Sequence, residues 1–117
     1  MALLTATSIP ANAGTTVTIS TAADVAGDTI TWMPGKRRVL LVQNADASPI
    51  TVTLTPQNAS KKVDGDTFTV PTIAQAVAAA ETRAIPITEA YANASNVVSV
   101  TYSAVANVTV RLMEFSI

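Results

Sequence analysis

The chain has 117 residues, seven Lys plus Arg against eight Asp plus Glu, and neither cysteine nor histidine. This is the length of one small domain, which buries about two-thirds of its extended-chain surface and needs no disulfide or zinc staple. The absent thiols and imidazoles exclude Cys and His nucleophiles, histidine acid–base catalysis and the usual transition-metal ligands. A formal net charge of −1 provides no field for nucleic acid or anionic lipid, both of which require clustered cations.

The start, Met1-Ala-Leu-Leu-Thr5, has no basic region and only a short apolar run, so it does not read as a secretory signal. Residues 1–13 read as an N-terminal arm of a single β-sandwich domain, 1–117. The uncharged stretch Pro71 to Ala80 is interrupted by polar residues and falls short of the roughly 20 residues of a membrane span. The triplets at Asn58, Asn93 and Asn107 match the glycosylation sequon, and without a secretory signal they follow from a Thr- and Asn-rich composition.

Along the chain the dominant period is two. In Thr16–Ser20, Val17 and Ile19 alternate with hydroxyl residues, and in Thr29–Met33 Ile30 and Trp32 share a face. Arg38–Asn44 is apolar at four consecutive positions, as a central strand dry on both faces would be. Ile50–Thr55 alternates cleanly, with Ile50, Val52 and Leu54 inward and threonines outward. Thr67–Val70, Arg83–Ile87, Val97–Tyr102 and Asn107–Leu112 bring the expected total to eight strands. Turn signals separate them at Ala26-Gly27-Asp28, Pro34-Gly35, Asn44-Ala45-Asp46, Asp64-Gly65-Asp66 and residues 93–96. Pro71, Thr72 and Gln75 ahead of an alanine run make Ile73–Glu81 read as a short helix or a helical loop. The fold class expected is an all-β antiparallel sandwich of about eight strands with at most one short helix. Its predicted core is Val17, Ile19, Ile30, Trp32, Val39, Leu41, Ile50, Val52, Leu54, Val98, Val100, Val108 and Val110.

The last strand changes phase: Val108, Val110 and Leu112 share one face, whereas Met113, Phe115 and Ile117 fall on the other. Two readings follow, a β-bulge near Leu112 that turns both sets into one core, or a strand end whose second apolar face meets another chain. The basic triplet Lys36-Arg37-Arg38 after the Pro34-Gly35 turn is either a solvated turn or a contact for an acidic protein surface. Lys61-Lys62 reads as an edge-strand pair that discourages aggregation. The protein-interface candidates are therefore Lys36, Arg37, Arg38, Met113, Phe115 and Ile117.

Chemistry has little to build on. Asp64-Gly65-Asp66 and the acids Asp24 and Asp28 suit tight turns, and no calcium-loop ladder with a distal Glu accompanies them. Serines and threonines lack a histidine base and a nucleophile motif, and four glycines spread singly make no phosphate loop. No catalytic, cofactor-binding or metal-ligating residue is predicted, and no enzyme activity is expected.

The order of elements Asp28-Thr-Ile-Thr-Trp-Met-Pro-Gly35, Arg38-Val-Leu-Leu-Val-Gln-Asn44, Ser48-Pro-Ile-Thr-Val-Thr-Leu-Thr-Pro56 and Val98-Ser-Val-Thr-Tyr-Ser-Ala-Val-Ala-Asn-Val-Thr-Val110 resembles small capsid decoration (cement) proteins of tailed bacteriophages. The resemblance covers roughly residues 28 to 112. It implies a jelly-roll-like sandwich in the virion, on the outer capsid surface, bound to the major capsid protein as a homo-oligomer (dimer or trimer). It implies no cofactor, no nucleic acid and no membrane. Such a protein would stabilise an expanded head by binding that state preferentially. Tail or head–tail joining proteins share this composition, and a carbohydrate- or receptor-binding β-sandwich would differ by exposing aromatic rings on a flat face.

Overall fold

The computed structural model describes residues 2–9, 14, 16–33, 36–55, 60–63, 66–69, 72–88, 91–92 and 95–116. The Pro34-Gly35 and Asp64-Gly65 turns, the sequons at Asn58 and Asn93, and Ile117 lie outside the described residues. Among the described residues twelve strands follow one another: β1 (Ala2–Leu3), β2 (Ala6–Ile9), β3 (Thr21–Ala22), β4 (Asp28–Thr31), β5 (Lys36–Asn44), β6 (Ile50–Leu54), β7 (Ser60–Val63), β8 (Asp66–Thr69), β9 (Ile73–Val77), β10 (Thr82–Ile87), β11 (Val97–Tyr102) and β12 (Val108–Ser116).

Two five-stranded sheets carry the fold. One runs β1-β4-β11-β6-β9; the other runs β10-β5-β12-β2, with β3 also on β12; β7 and β8 form a separate hairpin. Without β1, β2 and that hairpin, the antiparallel orders are β4-β11-β6-β9 and β3-β12-β5-β10. This is the strand order of a jelly roll, so the all-β sandwich reading holds. The two inner faces meet in one core that includes Ile30, Leu54, Val98 and Val100 from the first sheet and Leu40, Val42, Val110 and Leu112 from the second, all at most 1 % exposed.

Three expectations are corrected. Ile73–Glu81 is not helical: Ile73–Val77 is β9, paired residue for residue with Leu54–Ile50 of β6. Alternation of Ile73, Gln75 and Val77 places Val77 in the core, so tertiary pairing overrides alanine's helix propensity. Thr16–Ser20 is not a strand, and Val17 is 41 % exposed. The physical reason is that β12's free edge is shared end to end by β3, opposite Thr109 and Val110, and by β2, opposite Leu112 to Phe115. Beyond its two paired residues, Thr21 and Ala22, the segment therefore finds no ladder there. The phase of β5 is also reversed: Leu40, Val42 and Asn44 face the core, while Val39 and Leu41 are half-buried on the opposite face. Four consecutive apolar residues contain no alternation from which to choose. Trp32 follows β4 and packs against the core without being enclosed by it.

The N-terminal arm is part of the sandwich. β1 pairs in parallel with β4, and β2 pairs in parallel with β12, so residues 2–9 cross from one sheet to the other. On the opposite side, residues 78–81 make the same crossing between β9 and β10, with Ala80 at φ 62 and Glu81 N–H donating to Ala78 O at 3.1 Å.

Candidate functional site

The two groups of interface candidates are widely separated in sequence and adjacent in space. β5 and β12 pair without a slip from Val108↔Asn44 to Ser116↔Lys36, which places Arg37 opposite Phe115, Arg38 opposite Glu114 and Val39 opposite Met113. Unbroken register excludes the bulge near Leu112. The strand end is instead apolar on its second face.

Alternation then sorts the candidates. Arg38 has the inward phase of Leu40 and is used inside the molecule: its Nε and Nη2 donate to Glu114 Oε2 at 2.9 and 2.6 Å, and its Nη1 donates to Thr31 O at 2.7 Å. The pair is 12 and 13 % exposed, so Arg38 offers little charge to a partner. Ser8 Oγ donates to Glu114 Oε1 at 3.3 Å, which ties β2 to the same cluster. These bonds, those from Arg38 foremost, hold the Glu114 carboxyl below its ordinary range.

The outward set builds the face. Arg37, Val39 and Leu41 of β5 lie beside Phe115, Met113 and Arg111 of β12. β2 adds Thr7 beside Met113 and Ile9 beside Phe115, and β10 adds Ala84 beside Leu41 and Pro86 beside Val39. Met113 is only 3 % exposed, so it forms the floor of this patch and does not project from it. Phe115, Val39, Leu41 and Ile9 are half-buried, and Arg37 and Pro86 are exposed. Sequence reasoning missed Ile9, Val39, Leu41 and Arg111. The reversed phase of β5 hid Val39 and Leu41, and nothing local signals that β2 lies against β12.

The outer face of the other sheet has different chemistry. Thr29 and Thr31 of β4, Ser99 and Thr101 of β11, and Thr51 and Thr53 of β6 have the outward phase, with Ser99 opposite Thr29 and Thr101 opposite Thr53. Hydroxyls there can exchange hydrogen bonds with water, whereas the β5–β12 face presents mostly hydrocarbon.

A cavity of about 160 Å³ lies where the chain passes from β1 to β2, and Arg111 is the one charged residue among its lining, with Leu3, Leu4, Thr5 and Thr21 nearby. Asp28 faces the core at 0 % exposure, and Tyr102 O–H donates to its Oδ2 at 2.7 Å. Burial, followed by that bond, pushes the Tyr102 phenol well above its ordinary range. Among the described residues no group of three or more His, Cys, Asp or Glu is placed to hold a metal ion, and no helix is long and apolar enough to cross a membrane. Comparison with known protein families, with curated proteins and with solved structures finds no match for this chain.

Proposed function

We propose that this chain is a structural virion protein that binds the outer surface of a bacteriophage capsid and stabilises it, docking through the outward face of β5, β12, β2 and β10. The observation that supports this reading is the asymmetry of the sandwich. One outer face is covered with threonine and serine, and the other gathers Ile9, Val39, Leu41, Met113 and Phe115 between two arginines. A contiguous apolar patch rimmed by charge marks an interaction surface. The reading assigns the chain no catalysis: its effect is linkage, in which preferential binding to the expanded shell stabilises that state.

Phe115→Ser tests it. Burying a large apolar side chain completely is worth roughly 1.5 to 3 kcal/mol, and Phe115 is already half-buried, so affinity for purified capsids should fall about three- to tenfold while the variant remains folded. Particles lacking the protein should release DNA at a lower temperature. Unchanged occupancy of the variant, or localisation of the protein to the tail by electron microscopy, overturns the reading.

A further inference from the structure

The docking face has a charge pattern that specifies its partner. Arg37 and Arg111 both carry the outward phase, whereas none of the described carboxylates with described side chains does. Asp28 faces the core. Glu114 is held inward by Arg38. Asp24 lies in the turn closed by Gly27 N–H donating to its carbonyl, and Asp46 in the loop after β5. Glu81 lies in the crossing between β9 and β10, where it accepts from Arg83 at 3.0 Å.

Arg111 adds an independent observation. Its Nε is buried and has no hydrogen-bond partner, and it borders the 160 Å³ cavity beside β12. A buried guanidinium donor without an acceptor is costly. Arginine's planar fork matches a carboxylate in two-point contact.

Resting on the docking reading above, we infer that this face takes a different protein that places an Asp or Glu carboxylate on Arg111 within an apolar contact, and not a second copy of this chain. A copy related by a two-fold axis would present the same surface. Among the described residues it would bring further guanidinium groups and no outward carboxylate to a contact that already lacks an acceptor. The incoming carboxylate supplies what Arg111 Nε lacks, and Arg37 at the end of the patch adds attraction that steers the encounter. Copies that meet on a shell therefore use surface outside this face.

The test uses the full chain and an acetylated, amidated peptide, Leu-Glu-Leu-Glu-Leu, with its Gln and Lys counterparts. The Arg Nε–H resonances are followed by nitrogen-15 NMR, with Arg111 assigned through Arg111→Lys. The Glu peptide should shift the Arg111 Nε–H signal saturably. It should bind at least tenfold more tightly than the Gln peptide and lose that advantage in Arg111→Gln. Arg83→Gln, which alters an exposed cation that shares the inward phase of Ile85 and Ile87 on β10 and pairs with Glu81, should leave binding unchanged. Equal binding of the three peptides, or an Arg111 signal that does not move, overturns the charge inference. So does a dimer in sedimentation equilibrium that Phe115→Ser dissociates. The docking reading is judged separately on capsids: if Phe115→Ser loses occupancy and Arg111→Gln does not, docking stands and the carboxylate partner falls.

Discussion

Asn44 is the polar residue on which the joint between the two sheets depends, and replacing it tests how the sandwich is closed. It lies at the end of β5 with the inward phase, at 0 % exposure. Its Nδ2 donates to Ser48 O at 2.9 Å and to Val77 O at 3.2 Å, and its Oδ1 accepts from Asp46 N–H at 3.0 Å. One amide thus shapes the loop after β5 and reaches across to the end of β9 in the other sheet. Asn44→Ala removes these three bonds, worth about 1 kcal/mol each, so we expect a loss of about 3 kcal/mol. For a domain of this length that lowers Tm by about 12 °C. Asn44→Asp is more informative, because a carboxylate would confront the same carbonyl oxygens. Its folded-state pKa should lie above the unfolded value of about 3.9. The variant should therefore match or exceed Asn44→Ala below that pH, where the protonated acid can donate, and lose stability as pH rises through the folded value. Urea unfolding followed by fluorescence of Trp32, the one tryptophan in the chain, measures both. A loss below about 1 kcal/mol for Asn44→Ala, or parallel pH profiles for the two variants, would refute the reasoning.

Part of the core was legible because one-sided strands announce their phase. Ile50, Val52 and Leu54, Val98 and Val100, and Val108 and Val110 all face inward as alternation requires. β5 was legible as a central strand and illegible in phase: Val39, Leu40, Leu41 and Val42 offer hydrocarbon to both sides, and only pairing with β12 and β10 chooses Leu40 and Val42. β9 was misread because five alanines between residues 74 and 80 favour a helix locally, while the open edge of β6 supplies a ladder that a helix would forfeit. The candidate site followed the same logic. Its C-terminal half could be read from the phase change at Met113. Its other half depends on register between strands about 75 residues apart and on a parallel arm, and neither leaves a local mark in the sequence.

Three further substitutions probe features that the fold imposes. Ala80 adopts φ 62 in the crossing between sheets, a conformation that costs a residue with a Cβ about 1 kcal/mol or more, so Ala80→Gly should raise Tm slightly, by up to about 4 °C, and a lower Tm would contradict this. Glu114 has a depressed folded-state pKa through its bonds to Arg38. Its contribution is therefore present above the unfolded carboxylate value of about 4.3 and lost as pH falls through the folded one; the stabilities of wild type and Glu114→Gln should converge in acid. The last substitution concerns the buried pair of Tyr102 and Asp28. Asp28 Oδ1 has no hydrogen-bond partner, so its contact with Tyr102 is the bond that offsets burial of the carboxylate. Tyr102→Phe should cost about 2 to 3 kcal/mol, the range for a hydrogen bond to a charged group. Because the folded-state phenol pKa is raised, stability from this group is complete below about pH 10, the unfolded value, and declines as pH rises above it. Alkaline titration of phenolate absorbance should accordingly show Tyr102 ionising only as the protein unfolds cooperatively. A phenolate that forms reversibly near pH 10 in the folded chain, or a Tyr102→Phe variant as stable as wild type, would show that the bond does not hold the buried carboxylate in place.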